Sequence, residues 1–229
     1  MREAKFVGLS LNIDKTKYIL GGQRKNHEKG DLFVEGKKLE LVDDFKYLGT
    51  FLKSSSDDFK HRKKLSWAAC IESRHLWKDQ GLSRKIKLLL FSSTVESILF
   101  YNSTTWTLTE TLEKSINGCY SRLLRYALDI NWKDHVPNKD VFQDLPSAST
   151  KIKERRLTFI GHCLRSDQSS PQPVAQILLW EPTTGVKHGK GRKMTYLKRI
   201  LEDTQREKQY LIDDVKDRVE WRKFIKRLL

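Results

Sequence analysis

The sequence predicts an α+β protein, with a small antiparallel β-rich segment at the amino terminus followed by a mainly α-helical region. Two observations predict this class. Up to about residue 52, short runs of aromatic and aliphatic residues are separated by glycine-containing turns, as is typical of strands. From Ser55 onward, apolar residues recur every three or four positions, as they do in amphipathic helices.

The composition limits the kinds of partner and compartment. Its 229 residues suffice for one large domain or two small ones. The net charge of +15 indicates a polyanionic partner, either nucleic acid or an acidic membrane surface. The alternative interpretation is a soluble basic protein whose charge serves no such partner. The three cysteines are too scattered for a disulfide framework or a metal site, so we expect a reducing, intracellular compartment, nuclear or cytoplasmic. We expect no signal peptide, and the most apolar run, 88–106, contains too many polar residues for a membrane span.

The amino-terminal segment is predicted to contain several short extended stretches, at 9–13, 18–20, 32–34, 38–42 and 45–52. The Glu35-Gly36 pair is typical of a tight hairpin turn. Because so few short strands bury little apolar surface by themselves, we expect this segment to be the remainder of a larger sheet.

Helices are predicted from the changed periodicity at 55–78, 84–101, 139–144, 151–165, 171–180, 193–207 and 211–227. Ser83 is expected to cap the second of these, and Ser149 or Thr150 the one from 151. A further helix should begin after Thr109 or Thr111, and its apolar stripe comprises Ile116, Cys119, Tyr120, Leu123 and Ala127.

Two short motifs stand in the amino-terminal segment. The first, at 8–17, has Asn12 and Thr16 placed to bind neighbouring backbone groups and so to hold a bend around Lys15. A surface lysine beside a turn asparagine is the alternative interpretation. The second is Phe45-Lys46-Tyr47-Leu48-Gly49, which is typical of a strand with one basic face.

A third motif lies at 155–165. On a helix, one stripe would comprise Arg155, Thr158, His162 and Arg165, and another would comprise Ile152, Phe159, Ile160 and Cys163. One side should therefore pack, and the other should present positive charge. His162 and Cys163 have no second ligand pair nearby, so no metal is expected, and a surface hydrogen bond is the alternative role for His162.

Taken in order, these motifs resemble the carboxy-terminal part of LINE-like (non-LTR) retrotransposon reverse transcriptases. The segment 8–17 resembles the palm segment that follows the catalytic aspartates, and 45–49 resembles the primer-grip strand. The segment 99–106 resembles the end of the thumb, with Asn102 in place of a glycine and Thr104 in place of a glutamate. The segment 155–165 resembles a downstream R-R-L-x-x-h-G-H-h-h-R motif, and 189–193 is a drifted copy of a G-R-P motif.

The resemblance implies three regions: the end of the palm at 1–54, a thumb-like helical domain at 55–146, and a basic helical region at 147–229. It implies that Lys15 lies near the pyrophosphate, where a cation can stabilise the leaving group. It also implies that Lys46 and Tyr47 face the primer backbone, which Gly49 would allow to approach closely. Further candidates for nucleic-acid binding are Lys85, Lys87, Arg122, Arg125, Arg155, Arg156, His162, Arg165 and Arg192.

A complete catalytic site is not expected in this chain. Its aspartate pairs, at 43–44, 57–58 and 213–214, do not stand in the palm context that two-metal phosphoryl transfer requires. Mg²⁺ is therefore expected only for an intact polymerase, and this chain alone should need no cofactor. The predicted partners are RNA, DNA or their hybrid, together with the missing palm or endonuclease part, and no membrane. A domesticated nucleic-acid-binding module and an inert basic protein-interaction domain are the alternatives.

Overall fold

The computed structural model describes residue 8 and residues 12–19, 31–51, 54–166, 173–180 and 195–229. Within these residues the α+β class is confirmed, because short strand pairs near the amino terminus are followed by helices. The chain divides into two compact units, Met1–Lys60 and His61–Leu229. The functional borders at 54 and 146 stay a prediction.

The strands in the described part of the amino-terminal unit are short, with two residues each. They are β1 (Lys17–Tyr18), β2 (Phe33–Val34), β3 (Lys37–Lys38), β4 (Glu40–Leu41), β5 (Lys46–Tyr47) and β6 (Thr50–Phe51). Pairs β2–β3 and β5–β6 are antiparallel hairpins, whereas β1 and β4 pair in parallel. The parallel pair differs from the antiparallel pattern expected, and a long connection between its strands makes it possible. Lys17 and Glu40 face each other in this pair and form an ion pair at 2.9 Å.

Both hairpins turn through two residues with positive φ. The Glu35-Gly36 turn is confirmed, with φ of 51° and 76°. The prediction of one strand over 45–52 is wrong, because the chain reverses at Leu48 and Gly49, with φ of 48° and 82°. Such turns match the twist of the strands, and glycine adopts positive φ without strain. The aromatic residues around Gly49 favour strands, so the sequence pattern predicts one continuous strand and not this turn.

The bend around Lys15 is confirmed. Asn12 Oδ1 accepts a hydrogen bond from the Lys15 N–H at 3.1 Å, and Thr16 Oγ1 donates to the Asn12 carbonyl at 2.7 Å. These contacts close a 3₁₀ turn at Ile13–Lys15. The extended stretch predicted at 9–13 lies largely outside the described residues.

The helices of the described chain are α1 (Ser55–Glu72), α2 (Arg74–Lys78), α3 (Arg84–Phe91), α4 (Ser97–Leu99), α5 (Glu110–Ala127), α6 (Asn138–Phe142), α7 (Ala148–Ser166), α8 (Pro173–Leu178), α9 (Tyr196–Thr204), α10 (Lys208–Asp214) and α11 (Arg218–Leu228). A π-helical segment, Ser92–Glu96, joins α3 to α4. None of the described helices is long and apolar enough to cross a membrane.

Side-chain caps explain where several helices begin. Ser83 and Thr109 accept hydrogen bonds from backbone N–H groups of α3 and α5, so these two caps are confirmed. The predicted cap of α7 is wrong, because Ser147 performs this role and the helix begins earlier, at Ala148. Asp217 caps α11 and separates it from α10, which divides the helix predicted at 211–227.

The core of the carboxy-terminal unit lies on two sides of α7. On one side packs α5, whose predicted apolar stripe is buried as expected. On the other side lies a cluster formed by Leu157, Ile160, Leu197, Ile200, Leu211, Val215, Trp221 and Ile225. Helix α7 is therefore fixed between α5 and the helices α9–α11.

Helices α7 and α11 approach closely at Gly161. The indole N–H of Trp221 donates to the Leu157 carbonyl at 3.0 Å, and a methyl group at Gly161 would overlap the indole ring. The absent side chain therefore permits this contact, which explains the glycine within the 155–165 motif.

Candidate nucleic-acid interface

Helix α7 exposes much of the basic stripe that the sequence predicts. Arg155, Thr158 and His162 are exposed, and Arg165 is partly buried. On the packed stripe, Ile152, Ile160 and Cys163 are buried as expected, whereas Phe159 is 38% exposed. The expectation for Phe159 was wrong because its position borders a groove instead of the core.

Arg156 does not belong to the exposed stripe. Its side chain is only 1% exposed, and its Nη1 lies 2.7 Å from Asp203 Oδ2 on α9. Its Nη2 donates to the Trp106 carbonyl at 3.4 Å, and Arg199 Nε lies 3.5 Å from the other oxygen of Asp203. These contacts hold α7 against α9, so we leave Arg156 out of the candidate interface.

Arg165 lies in a cluster of like charges. Its Nη1 donates at 2.8 Å to the carbonyl of Val215, which lies in the connection between α10 and α11, and this bond holds the guanidinium against that connection. Burial lowers the pKa of Arg165 from its ordinary value, and repulsion from Arg218 and Arg222 lowers it further. Among the described residues, none of these three arginines forms an ion pair with a carboxylate. The cluster is therefore a concentration of positive charge that the described residues do not neutralise.

Helix α11 extends this charge along its length. Arg218, Arg222 and Lys226 recur every four residues and so share one helix face, with successive positions about 6 Å apart along the axis. Arg222 and Lys226 line a cleft of about 410 Å³ whose α7 side carries Glu154 and Thr158. We use the name α7–α11 basic face for a set of six basic residues on these two helices: Arg155, His162, Arg165, Arg218, Arg222 and Lys226.

A larger groove, of about 830 Å³, also has Glu154 and Thr158 in its lining. We call it the α7 groove. Its α7 wall includes Arg155, Phe159 and His162, and the residues 96–104 supply the facing wall. The α7 groove and the α7–α11 basic face therefore share residues of one helix.

The floor of the α7 groove contains a buried ion pair. Glu96 is 5% exposed, and its Oε2 accepts from Lys151 Nζ at 2.7 Å and from the Tyr120 hydroxyl at 3.1 Å. Burial, together with the neighbouring Glu96 carboxylate, raises the pKa of Tyr120 above its ordinary value, so the hydroxyl remains a donor. The charges of this floor are thus paired with each other.

The facing wall of the groove has an irregular backbone that side chains hold in place. It begins in the π-helical segment and turns at Asn102, whose φ of 56° is left-handed. Asparagine tolerates this conformation better than most residues, which explains how it stands where the resembling pattern has glycine. The Arg62 guanidinium lies 4.2 Å from the centre of the Tyr101 ring, and Tyr196 donates to the Thr104 carbonyl at 2.8 Å.

The other predicted residues of the carboxy-terminal unit fall into two groups. Lys85 and Arg122 are exposed or partly exposed surface groups. Lys87 is 7% exposed and its Nζ donates to the Trp77 carbonyl at 2.6 Å. Arg125 is partly buried and binds the Val136 carbonyl and Asn138 Oδ1, both at 2.8 Å. Lys87 and Arg125 therefore hold local structure, and we leave them out of the interface as well.

The predicted residues of the amino-terminal unit are surface groups. Lys15, Lys46 and Tyr47 are exposed, with Tyr47 at 57%. Gly49 is required by the hairpin turn, because its φ is 82°. Arg192 lies outside the described residues.

Arg218, Arg222 and Lys226 lie outside all the sequence motifs described above. Their spacing of four residues is visible in the sequence and predicts a shared helix face, but it cannot show which face the protein covers. The sequence places Tyr101 only within the thumb motif, and it predicts Phe159 on the packed stripe. Their exposure depends on the groove, which forms only when α7 packs beside residues 96–104.

Comparison with known proteins gives one informative similarity. The chain is 26% identical over 170 residues to the transposon-derived protein F52C9.6 of Caenorhabditis elegans. The alignment covers 69% of this chain and 60% of that protein, so the chain spans less than two thirds of its relative. No protein-family model matches the sequence. No solved structure matches it. The similarity supports a transposon origin for this chain.

Proposed function

We propose that this chain is the carboxy-terminal part of a LINE-like reverse transcriptase and that it holds nucleic acid through the sugar–phosphate backbone. The observation that carries this proposal is the cluster of Arg165, Arg218 and Arg222, which no carboxylate among the described residues neutralises. Like-charged guanidiniums held this close are stabilised when a polyanion approaches. The order of the sequence motifs and the transposon origin support the choice of polyanion.

The α7–α11 basic face suits a backbone contact better than base recognition. Its three cations on α11 follow one helix face at a spacing of four residues, and arginine forms paired hydrogen bonds with phosphate oxygens. Contacts of this kind position a nucleic acid without reading its sequence. We therefore expect salt-sensitive binding with little sequence preference.

The polymerisation chemistry belongs, in this proposal, to a palm outside this chain. Lys15 would act there as the cation near the pyrophosphate, and Lys46 and Tyr47 would contact the primer. The chain's own task is to maintain grip and register, and Mg²⁺ would be held by the palm.

Exposed apolar side chains in the amino-terminal unit favour a fragment over a stand-alone module. Ile19, Tyr47 and Leu48 are 37%, 57% and 74% exposed, and among the described residues the sheets of this unit have two strands each. A missing part of the sheet would cover such side chains. We propose the upstream palm as that partner.

The proposal is tested by measuring the affinity of the chain for duplex DNA, RNA–DNA hybrid and single-stranded RNA across a salt series. The test variant is Arg222→Glu with Lys226→Glu, and the matched control is Lys114→Glu with Lys139→Glu, which changes the net charge equally at two other exposed lysines. The test variant should bind at least tenfold more weakly, and its salt slope should fall by roughly 0.9 for each phosphate that is no longer neutralised. If both variants lose affinity equally, the effect is due to net charge alone, and the α7–α11 basic face is not the binding site.

A further inference from the structure

We infer that the α7 groove receives unpaired bases of a single-stranded nucleic acid whose backbone follows the α7–α11 basic face. This inference rests on the proposed function and names its substrate class. The groove has a volume of about 830 Å³, and its α7 wall includes Arg155 and His162 of the basic face. A strand bound along the face therefore passes the mouth of the groove.

Aromatic side chains line both walls of the α7 groove. Phe159 is 38% exposed and Tyr101 is 47% exposed, on opposite walls of the groove. The Phe159 ring therefore leaves aromatic surface open to water, and the Tyr101 ring does so on the part that the Arg62 guanidinium does not cover. Bases of any sequence stack on such rings, because every base has a flat π-face.

The charged side chains of the α7 groove differ between its floor and its α7 wall. Glu96 and Lys151 neutralise each other on the floor, and the exposed lining of the groove is mainly apolar. The α7 wall carries Arg155 and His162, which belong to the basic face, together with the exposed carboxylate of Glu154. A neutral heterocycle thus fits the floor, and a phosphate fits beside Arg155.

Side-chain contacts hold the facing wall of the α7 groove in place. The wall at 96–104 is fixed by the Glu96 contacts, by Tyr196 on the Thr104 carbonyl, and by Arg155 over the Phe100 ring at 5.4 Å. A site that is already ordered loses less entropy when it binds a ligand. Bases inside a duplex are stacked and paired, so only an unpaired base can enter this groove.

The test compares a single-stranded RNA with a duplex of the same sequence, in the full chain. The variant is Phe159→Leu, which keeps apolar volume but removes the ring, and the matched control is Phe159→Tyr, which keeps the ring. We expect Phe159→Leu to weaken single-strand binding about fivefold or more while duplex binding stays within about twofold. Phe159→Tyr should bind like the parent chain. Thermal unfolding of each variant checks that the fold is retained.

A fluorescent base analogue provides a second readout. Its emission should be quenched on binding to the parent chain and to Phe159→Tyr, and quenched less by Phe159→Leu. Equal weakening of single strand and duplex, or no weakening at all, would overturn the inference. Displacement of the oligonucleotide by polyglutamate, dependent on Phe159, would assign the groove to an acidic peptide and overturn it as well.

The two proposals fail differently. If the Arg222→Glu, Lys226→Glu variant loses binding to both nucleic acids while Phe159→Leu has no effect, the basic face stands and the groove inference falls. If the parent chain binds no nucleic acid at low salt, both fall.

Discussion

Two arginines on α7, Arg156 and Arg165, differ in the charges that lie beside them. At Arg156, the carboxylate of Asp203 lies within 2.7 Å and the side chain is buried. At Arg165, the neighbours are Arg218 and Arg222, and among the described residues no carboxylate pairs with them. The first arginine has its counter-charge within the protein, whereas the second has none in the described part of the chain. The sequence shows the same residue type in both places, so the neighbours decide the role.

The comparison predicts the largest effect at Arg156. Replacing it with methionine leaves Asp203 buried with only the longer Arg199 contact, which should cost about 3–5 kcal/mol in the free energy of unfolding. Removing both charges, with Arg156→Met and Asp203→Leu together, should recover most of this loss. Urea unfolding measures both variants.

Arg155→Met is the matched control, because it changes the adjacent exposed residue of the same helix. The Arg155 guanidinium contacts the Phe100 ring and, at 3.5 Å, the Phe100 carbonyl, so the loss of stability should stay within about 1 kcal/mol. Equal losses at positions 155 and 156 would contradict the division of α7 into a structural and a surface side.

The second prediction concerns the contact that positions the surface cluster. Gly161→Ala gains up to about 1 kcal/mol of helix propensity, but its methyl group must displace the Trp221 ring. Overpacking of this kind typically costs about 1–3 kcal/mol, so we expect a net loss of stability. A shift of α11 should also weaken nucleic-acid binding. Thermal unfolding and the salt series measure the two effects.

Gly118→Ala is the control for Gly161, because it lies within α5 and a methyl group there would meet only the end of the Arg122 side chain, at 3.9 Å. It should be neutral or slightly stabilising. If Gly161→Ala behaves in the same way, the close approach of α7 and α11 is not required.

The sequence predicts local structure better than it predicts which residues from distant parts of the chain come into contact. The hairpin turn at Glu35-Gly36, the bend around Asn12 and the caps Ser83 and Thr109 depend on nearby residues, and all are confirmed. The burial of Arg156 depends on Asp203, which is 47 residues away. Periodicity places both Arg155 and Arg156 on α7, but it cannot show that a carboxylate will lie beside one of them only.

The same limit applies to the candidate site. The basic stripe of α7 could be predicted because i, i+3 and i+7 spacing is a property of a single helix. The groove and the arginine cluster each require two elements that are distant in the sequence. The hairpin turn at Leu48-Gly49 was not predicted for a different reason. The aromatic and β-branched residues on both sides favour strands, so the pattern indicates one strand where the structure has two strands and a two-residue turn.

The smallest effect on stability is predicted at Arg222. Because Arg222 repels the charge of Arg165, Arg222→Gln removes this repulsion and should leave the free energy of unfolding unchanged or raise it by a few tenths of a kcal/mol. Binding to duplex DNA should weaken at the same time, since one cation fewer faces the phosphates. A drop in both stability and binding would mean that Arg222 holds structure, as Arg156 does. Opposite signs in the two measurements are what a charge cluster reserved for a polyanion requires, because the repulsion is relieved only when the ligand is bound.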